Sequence, residues 1–200
     1  MLDRLRGSLD STLASLGSGA AKVIPNPTAW TAIGFVFASL AFIFYEGGNQ
    51  TFAGILVLLA GFFDVLDGAV ARATGKTSPR GAFLDSTLDR LSETLIFLGI
   101  LLGNYTTPFF VLLALALSLL VSYTRAKGDA LGVNLAGVGV GERSERLVVL
   151  MVTSLLGLVP LGVLIVVVLA LLTFVERTVR VSRALGRQRP VAEVSTPAPA

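Results

Sequence analysis

The sequence predicts an all-α integral membrane protein. An N-terminal amphipathic helix would lie on the membrane surface, six transmembrane helices would follow, and both termini would be cytoplasmic. Three observations predict this. Of 200 residues, 54% are hydrophobic and 14% are charged, with a mean hydropathy of +0.80. A soluble domain carries about 25% charged residues, so this chain has too few to cover a water-soluble core. The apolar residues fall in runs near the roughly 20 that a spanning helix needs. Finally, the 16 Lys and Arg gather on alternate loops, the bias that sets orientation in a membrane.

The same arithmetic disfavours a soluble enzyme, a disordered chain and a nucleic-acid binder. A pI near 9.7 and a net charge of +3 fit loops that face an anionic membrane surface. There is no Cys and no His. Disulfides, thiol chemistry and the commonest general base are therefore absent, which leaves carboxylates, hydroxyls, basic side chains and bound metal to carry any catalysis.

The elements follow in order. Leu2, Leu5, Leu9, Leu13 and Leu16 recur at spacings of three and four, with Arg4, Arg6 and Asp10 between them. Residues 1–23 thus read as a juxtamembrane amphipathic helix. They lack the short apolar run and small-residue cleavage site of a signal peptide. One domain, 24–187, holds spans at 28–45, 52–72, 82–102, 108–127, 146–158 with its flanks, and 161–180. Glycine, asparagine and proline in 46–50, 103–108 and 157–160 mark turns between them. The tail, 188–200, has three prolines and no apolar period and is expected to be disordered. Basic residues stand before span one, about the loops joining spans two to three and four to five, and after span six. The remaining loops have none. The chain is therefore expected to be multi-pass in the cell membrane, with its active side toward the cytoplasm. Gly99 and Gly103 in span three offer a small-residue surface on which two copies could pack as a homodimer.

Charges beside a span are costly and usually mark function. Asp64 and Asp67 stand near the end of span two, and Asp85 and Asp89 at the start of span three. Spacings of i,i+3 and i,i+4 put each pair on one helical face, and the hairpin lets the two faces meet. Four carboxylates in one volume repel and need compensating charge. Oxygen-only ligands select hard cations such as Mg²⁺, Mn²⁺ or Ca²⁺. Gly68 and Gly81 permit close approach of a ligand, and Arg72, one turn beyond Gly68, can reach a phosphate oxygen. An intramembrane salt-bridge cluster in a cation-coupled transporter is the alternative, although no internal repeat supports it.

The two segments D-V-L-D-G-A-V-A-R at 64–72 and G-A-F-L-D-S-T-L-D at 81–89 fill every fixed position of D-x-x-D-G-x-x-A-R…G-x-x-x-D-x-x-x-D. In this the chain resembles the CDP-alcohol phosphotransferases, whose surface helix and six spans match its plan up to the tail. The resemblance implies transfer of a phosphatidyl-type group from a CDP-linked lipid to an alcohol, with release of CMP and the help of two divalent cations, Mg²⁺ or Mn²⁺. Asp64, Asp67 and Asp85 would bind one metal, and Asp64, Asp85 and Asp89 the other. Asp89 would also be the general base. The CDP-lipid contacts would be Thr28, Ala29, Trp30, Thr31, Gly68, Arg72, Ser78 and Gly81. Two metals about 4 Å apart can clamp a diphosphate, and phosphoryl-type transfer needs positioning and charge neutralisation above all.

The motif speaks only to the donor. At 122–127, S-Y-T-R-A-K, followed by E-R-S-E-R-L at 142–147, resembles the phosphatidylinositol-phosphate synthase branch, whose archaeal relatives use an archaeol-based donor. Branch members carry Lys where this chain has Arg125 and Arg where it has Lys127. By that resemblance Arg125, Arg146 and Arg177 would hold the phosphate of inositol 1-phosphate. Glycerol 3-phosphate would need similar basic residues and is the alternative acceptor. Glu142 and Glu145 are expected to pair with nearby arginines.

Overall fold

A computed structural model describes residues 2–187, with side chains from residue 12 onward. It consists of α1 (Leu2–Val23), α2 (Pro27–Glu46), α3 (Gln50–Thr74), α4 (Pro79–Leu102), α5 (Pro108–Ala130), α6 (Arg143–Leu155) and α7 (Val159–Gly186). The expected tail 188–200 and the leucine stripe at Leu2, Leu5 and Leu9 lie outside the residues and side chains so described. Proline sits in the first turn of α2, α4, α5 and α7, where its missing N–H costs nothing.

Four helices are long and apolar enough to cross a membrane: α2, α3, α5 and α7. The third and fifth of the expected spans, α4 and α6, are present as helices of another kind. α4 has 24 residues, but its first turns carry Arg80, Asp85, Asp89, Arg90 and Glu93. α6 has only 13 residues, about 20 Å at the usual rise per residue, against roughly 30 Å of hydrocarbon.

The core is built mostly of small and β-branched residues. Ala38, Ala41, Ala53, Val57, Ala60, Ile96, Ile100, Val163 and Val166 are buried together. Large apolar side chains such as Leu58, Phe62, Leu112, Leu164, Leu171 and Leu172 face outward, as a lipid-facing surface requires. α1 leans on α3 at Gly17, where an added Cβ would come within 2.5 Å of the Ala69 carbonyl oxygen. Gly99 is likewise used within the chain, because a Cβ there would meet the Phe42 carbonyl at 2.7 Å. The glycine face of α4 thus seats α2, and Gly99 is not free to receive a second copy.

α2 packs against both α3 and α4, while α3 and α4 barely approach each other directly. The expected hairpin is therefore splayed, with α2 wedged against both arms. Facing carboxylates resist closer approach, and the splay leaves room between them.

The short turns sort into two ends. Lys76 donates to the Pro25 carbonyl, and Arg143 reaches Asp64, which brings the α1–α2, α3–α4 and α5–α6 connections together. At the opposite end Tyr45 hydrogen-bonds Ser154 and meets Tyr105 edge-on, beside turns that have no Lys or Arg.

Candidate active site

The last turns of α3 supply Asp64 and Asp67, and the second and third turns of α4 supply Asp85 and Asp89. Carboxylate oxygens of Asp64, Asp85 and Asp89 all lie within 4.8 Å of one another. Asp67 stands apart from this trio. It is 6% exposed, and its Oδ2 is buried with no hydrogen-bond partner. A gap of about 10 Å³, roughly one water-sized particle, lies between Asp64, Asp67 and Asp89. A clustered set of hard oxygen donors, an orphaned buried carboxylate oxygen and a gap of this size fit divalent cations.

Two larger cavities open onto these carboxylates. The first, about 290 Å³, is lined by Thr28, Thr31, Asp67, Gly68, Lys76, Ser78, Gly81 and Asp85, among others. Two helix N-termini converge on it. Asn26 Oδ1 accepts from the Thr28 amide of α2 at 3.1 Å, and Ser78 Oγ accepts from the Gly81 amide of α4 at 3.1 Å. The free amides and positive dipole ends of such termini attract anions. Arg72 lies over Gly68, where an added Cβ would fall 3.4 Å from its Nη1.

Five of the eight expected CDP contacts thus line one cavity: Thr28, Thr31, Gly68, Ser78 and Gly81. Ala29, Trp30 and Arg72 do not. Trp30 donates from Nε1 to the Ile24 carbonyl at 3.0 Å and stacks on Phe63, so its ring packs the base of α2. Sequence reasoning missed Lys76 as a lining residue, because it lies in the spacer between the two parts of the motif, at no fixed position.

The second cavity, about 610 Å³ and more open, is lined by Asp85, Ser86, Asp89, Arg90, Ser122, Tyr123, Arg125 and Asp129, among others. Of the three arginines expected to hold an acceptor phosphate, Arg125 alone lines it. Arg146 is fully buried and is spent on internal partners. It donates from Nε and Nη2 to the two carboxylate oxygens of Glu93 at 2.9 and 3.0 Å, and from Nη1 to the Gly141 carbonyl at 2.7 Å. Arg177, 2% exposed, donates to the carbonyls of Val138 and Val121 and to Glu142 Oε1 at 2.8 Å. Both arginines brace the 131–142 connection. Glu142 also approaches Arg125 at 3.7 Å, so its arginine partners lie 17 and 35 residues away in the chain and are not the local ones expected.

Two further residues belong to this site and were not expected there. Arg143, the first residue of α6, places Nη1 2.8 Å from Asp64 and 2.7 Å from Asp89. Glu93 follows Asp85 and Asp89 at the same spacing of four and carries their acidic face one turn deeper. That spacing was visible in the sequence. The partnership with Arg146, 53 residues away, was not.

Known proteins match this arrangement over most of the chain. The family model described as CDP-alcohol phosphatidyltransferase matches residues 22–175. The archaetidylinositol phosphate synthase of Pyrococcus horikoshii is 38% identical over 185 residues, which is 92% of this chain and 98% of that protein. Two crystal structures of the Mycobacterium tuberculosis phosphatidylinositol phosphate synthase superpose on the fold at 26% identity. The complex with manganese and citrate does so with a TM-score of 0.75, over 85% of this chain and 88% of its own. The complex with CDP-DAG does so with a TM-score of 0.74, over 84% and 92%. The family model's match over residues 22–175, with a relative 38% identical over 92% of this chain, shows that this chain belongs to the CDP-alcohol phosphatidyltransferase family.

Proposed function

We propose that the protein transfers a phosphatidyl-type group from a CDP-linked lipid to inositol 1-phosphate and releases CMP. One observation carries this reading: the cavity at the two helix N-termini and the cavity lined by Arg125 meet at Asp85. A nucleotide-linked diphosphate in the first and a phosphorylated polyol in the second would present the reacting atoms to one carboxylate cluster. The names of the similar proteins support inositol phosphate as acceptor over glycerol 3-phosphate, and family membership sets the transporter aside.

In this reading the cations held by Asp64, Asp67, Asp85 and Asp89 would neutralise the diphosphate and stabilise the departing CMP phosphate. The amides at the starts of α2 and α4, together with Lys76, orient the nucleotide phosphates. Gly68 gives them room, and Arg72 stands beside it. Asp89 borders the acceptor cavity and takes the proton of the attacking hydroxyl. Arg125 holds the acceptor's phosphate, while Arg146 and Arg177 fix the connection beside it. An apolar cavity of about 410 Å³ between α1, α3 and α6, which includes Leu13, Leu16, Val57 and Phe62 and ends at Asp64 and Arg143, suits the donor's hydrocarbon chains. In the membrane, α4 and α6 would complete six spans, α1 would lie at the cytoplasmic surface, and the site would face the cytoplasm of a cell-membrane protein. The homodimer follows from the family resemblance alone.

The deciding assay measures CMP release with inositol 1-phosphate, glycerol 3-phosphate and serine side by side, with and without chelator. Inositol 1-phosphate is expected to be the preferred acceptor, and chelator to stop the reaction. A preference for serine would sink the phosphate-pocket reading.

A further inference from the structure

Arg143 has no part in the family motif, yet it sits within the carboxylate cluster. A single guanidinium nitrogen, Nη1, bridges Asp64 Oδ1 at 2.8 Å and Asp89 Oδ1 at 2.7 Å. These two residues, with Asp85, form the group whose oxygens lie within 4.8 Å of one another. The side chain is 16% exposed, and its Nε is buried without a hydrogen-bond partner. Only one edge of the guanidinium is anchored, and it is anchored entirely to carboxylates. Arg146, three residues along the same helix, has all three nitrogens satisfied.

A divalent ion binds carboxylate oxygens at about 2.0–2.6 Å. An ion bridging Asp64 and Asp89 would stand where Nη1 stands, and one pair of facing oxygens cannot serve both cations. We propose that Arg143 is an internal cation of this site: its guanidinium holds Asp64 and Asp89 together until a divalent ion takes the same oxygens and displaces it. Arg143 is then a positioning residue. It keeps like charges from driving α3 and α4 apart, and it makes loading of that metal position an exchange of one cation for another. The proposal rests on the reading of Asp64, Asp85 and Asp89 as metal ligands.

The test is Mn²⁺ binding to the purified full-length protein in detergent, with free ion read by electron paramagnetic resonance, and thermal unfolding in chelator and in Mn²⁺. Arg143→Gln is expected to bind Mn²⁺ about tenfold tighter at the weaker position, a change worth about 1.4 kcal/mol. It should also unfold at a lower temperature than wild type in chelator and recover most of that difference with Mn²⁺. Arg90→Gln is the control for general charge removal. Arg90 donates to the Ser86 carbonyl at 2.9 Å and, among carboxylates, meets only the other oxygen of Asp89, at 3.2 Å, and its loss is expected to change Mn²⁺ affinity far less. Arg143→Lys, whose shorter chain and point ammonium span two carboxylates less well, should bind Mn²⁺ tighter than wild type by a smaller factor. It carries the test if the glutamine variant does not fold. Unchanged Mn²⁺ affinity in the Arg143 variants, or an equal gain in Arg90→Gln, overturns the exchange. Failure of the wild type to bind Mn²⁺ overturns the metal reading beneath it.

Discussion

At the scale of single residues, the site separates groups that carry charge to substrate from groups that hold those carriers in place. Asp89 borders the cavity proposed for the acceptor and belongs to the carboxylate trio. Replacing it by Asn keeps its size and removes its basicity. Turnover should fall by about a thousandfold or more, within the range general-base removal produces, while most CDP-lipid binding survives. Retained CMP release in Asp89→Asn would sink the assignment. Arg125 is 44% exposed at its side chain, which suits a group that must meet a soluble, charged acceptor. Arg125→Gln should raise the acceptor KM about tenfold to a hundredfold, as loss of a charge-assisted hydrogen bond does, and leave the KM for CDP-lipid unchanged. An equal rise in both would place Arg125 outside the acceptor pocket. The four aspartates were legible from sequence because a functional charge inside an apolar run has no cheap alternative explanation. Arg143 was less legible, because a basic residue at a span end also satisfies the orientation bias. Only its position between Asp64 and Asp89 distinguishes the two roles.

At the scale of elements, the sequence located the ends of the six helices after α1 to within three residues, except that α7 runs six residues beyond its expected end, since apolar runs closed by glycine and proline leave little freedom. It did not foresee that α4 and α6 differ in kind from the others. α4 spends its first turns on the carboxylates, and α6 is short because its N-terminal end carries Arg143 and Arg146 inward to meet them. These two helices are joined by the Glu93–Arg146 pair, each side chain 1% exposed. A buried pair is weak evidence of net stability, but breaking one is costly, by about 3–5 kcal/mol. Glu93→Ala should therefore lower the unfolding midpoint sharply, because it strands a fully buried guanidinium. The double variant Glu93→Leu with Arg146→Met removes both charges and should regain much of that loss. If the double variant unfolds as early as the single one, the pair is doing more than neutralising itself. A period of four on α4 announces Glu93 as buried or functional. It cannot name the partner, because α6 is brought to α4 by tertiary packing and not by local sequence.

At the scale of the whole molecule, charge arranges the chain along the membrane normal. The connections rich in Lys and Arg gather at the end that holds the carboxylates, and the uncharged turns gather at the other, around Tyr45, Tyr105 and Ser154. By the positive-inside bias, the orientation we propose puts the carboxylate end in the cytoplasm, where CMP and a phosphorylated polyol would be soluble solutes. A further property makes this directly measurable: the natural chain has no cysteine, so any thiol introduced is the only one. Thr107 is exposed at the start of α5, and Ala136 is exposed in the 131–142 connection. In intact cells a membrane-impermeant maleimide should label Thr107→Cys and spare Ala136→Cys, which should label only after the membrane is opened. The reverse pattern would put the site on the outer face. Labelling of both positions in intact cells would mean that the 131–142 connection is reachable from outside, and the orientation argued from charge would fail with it.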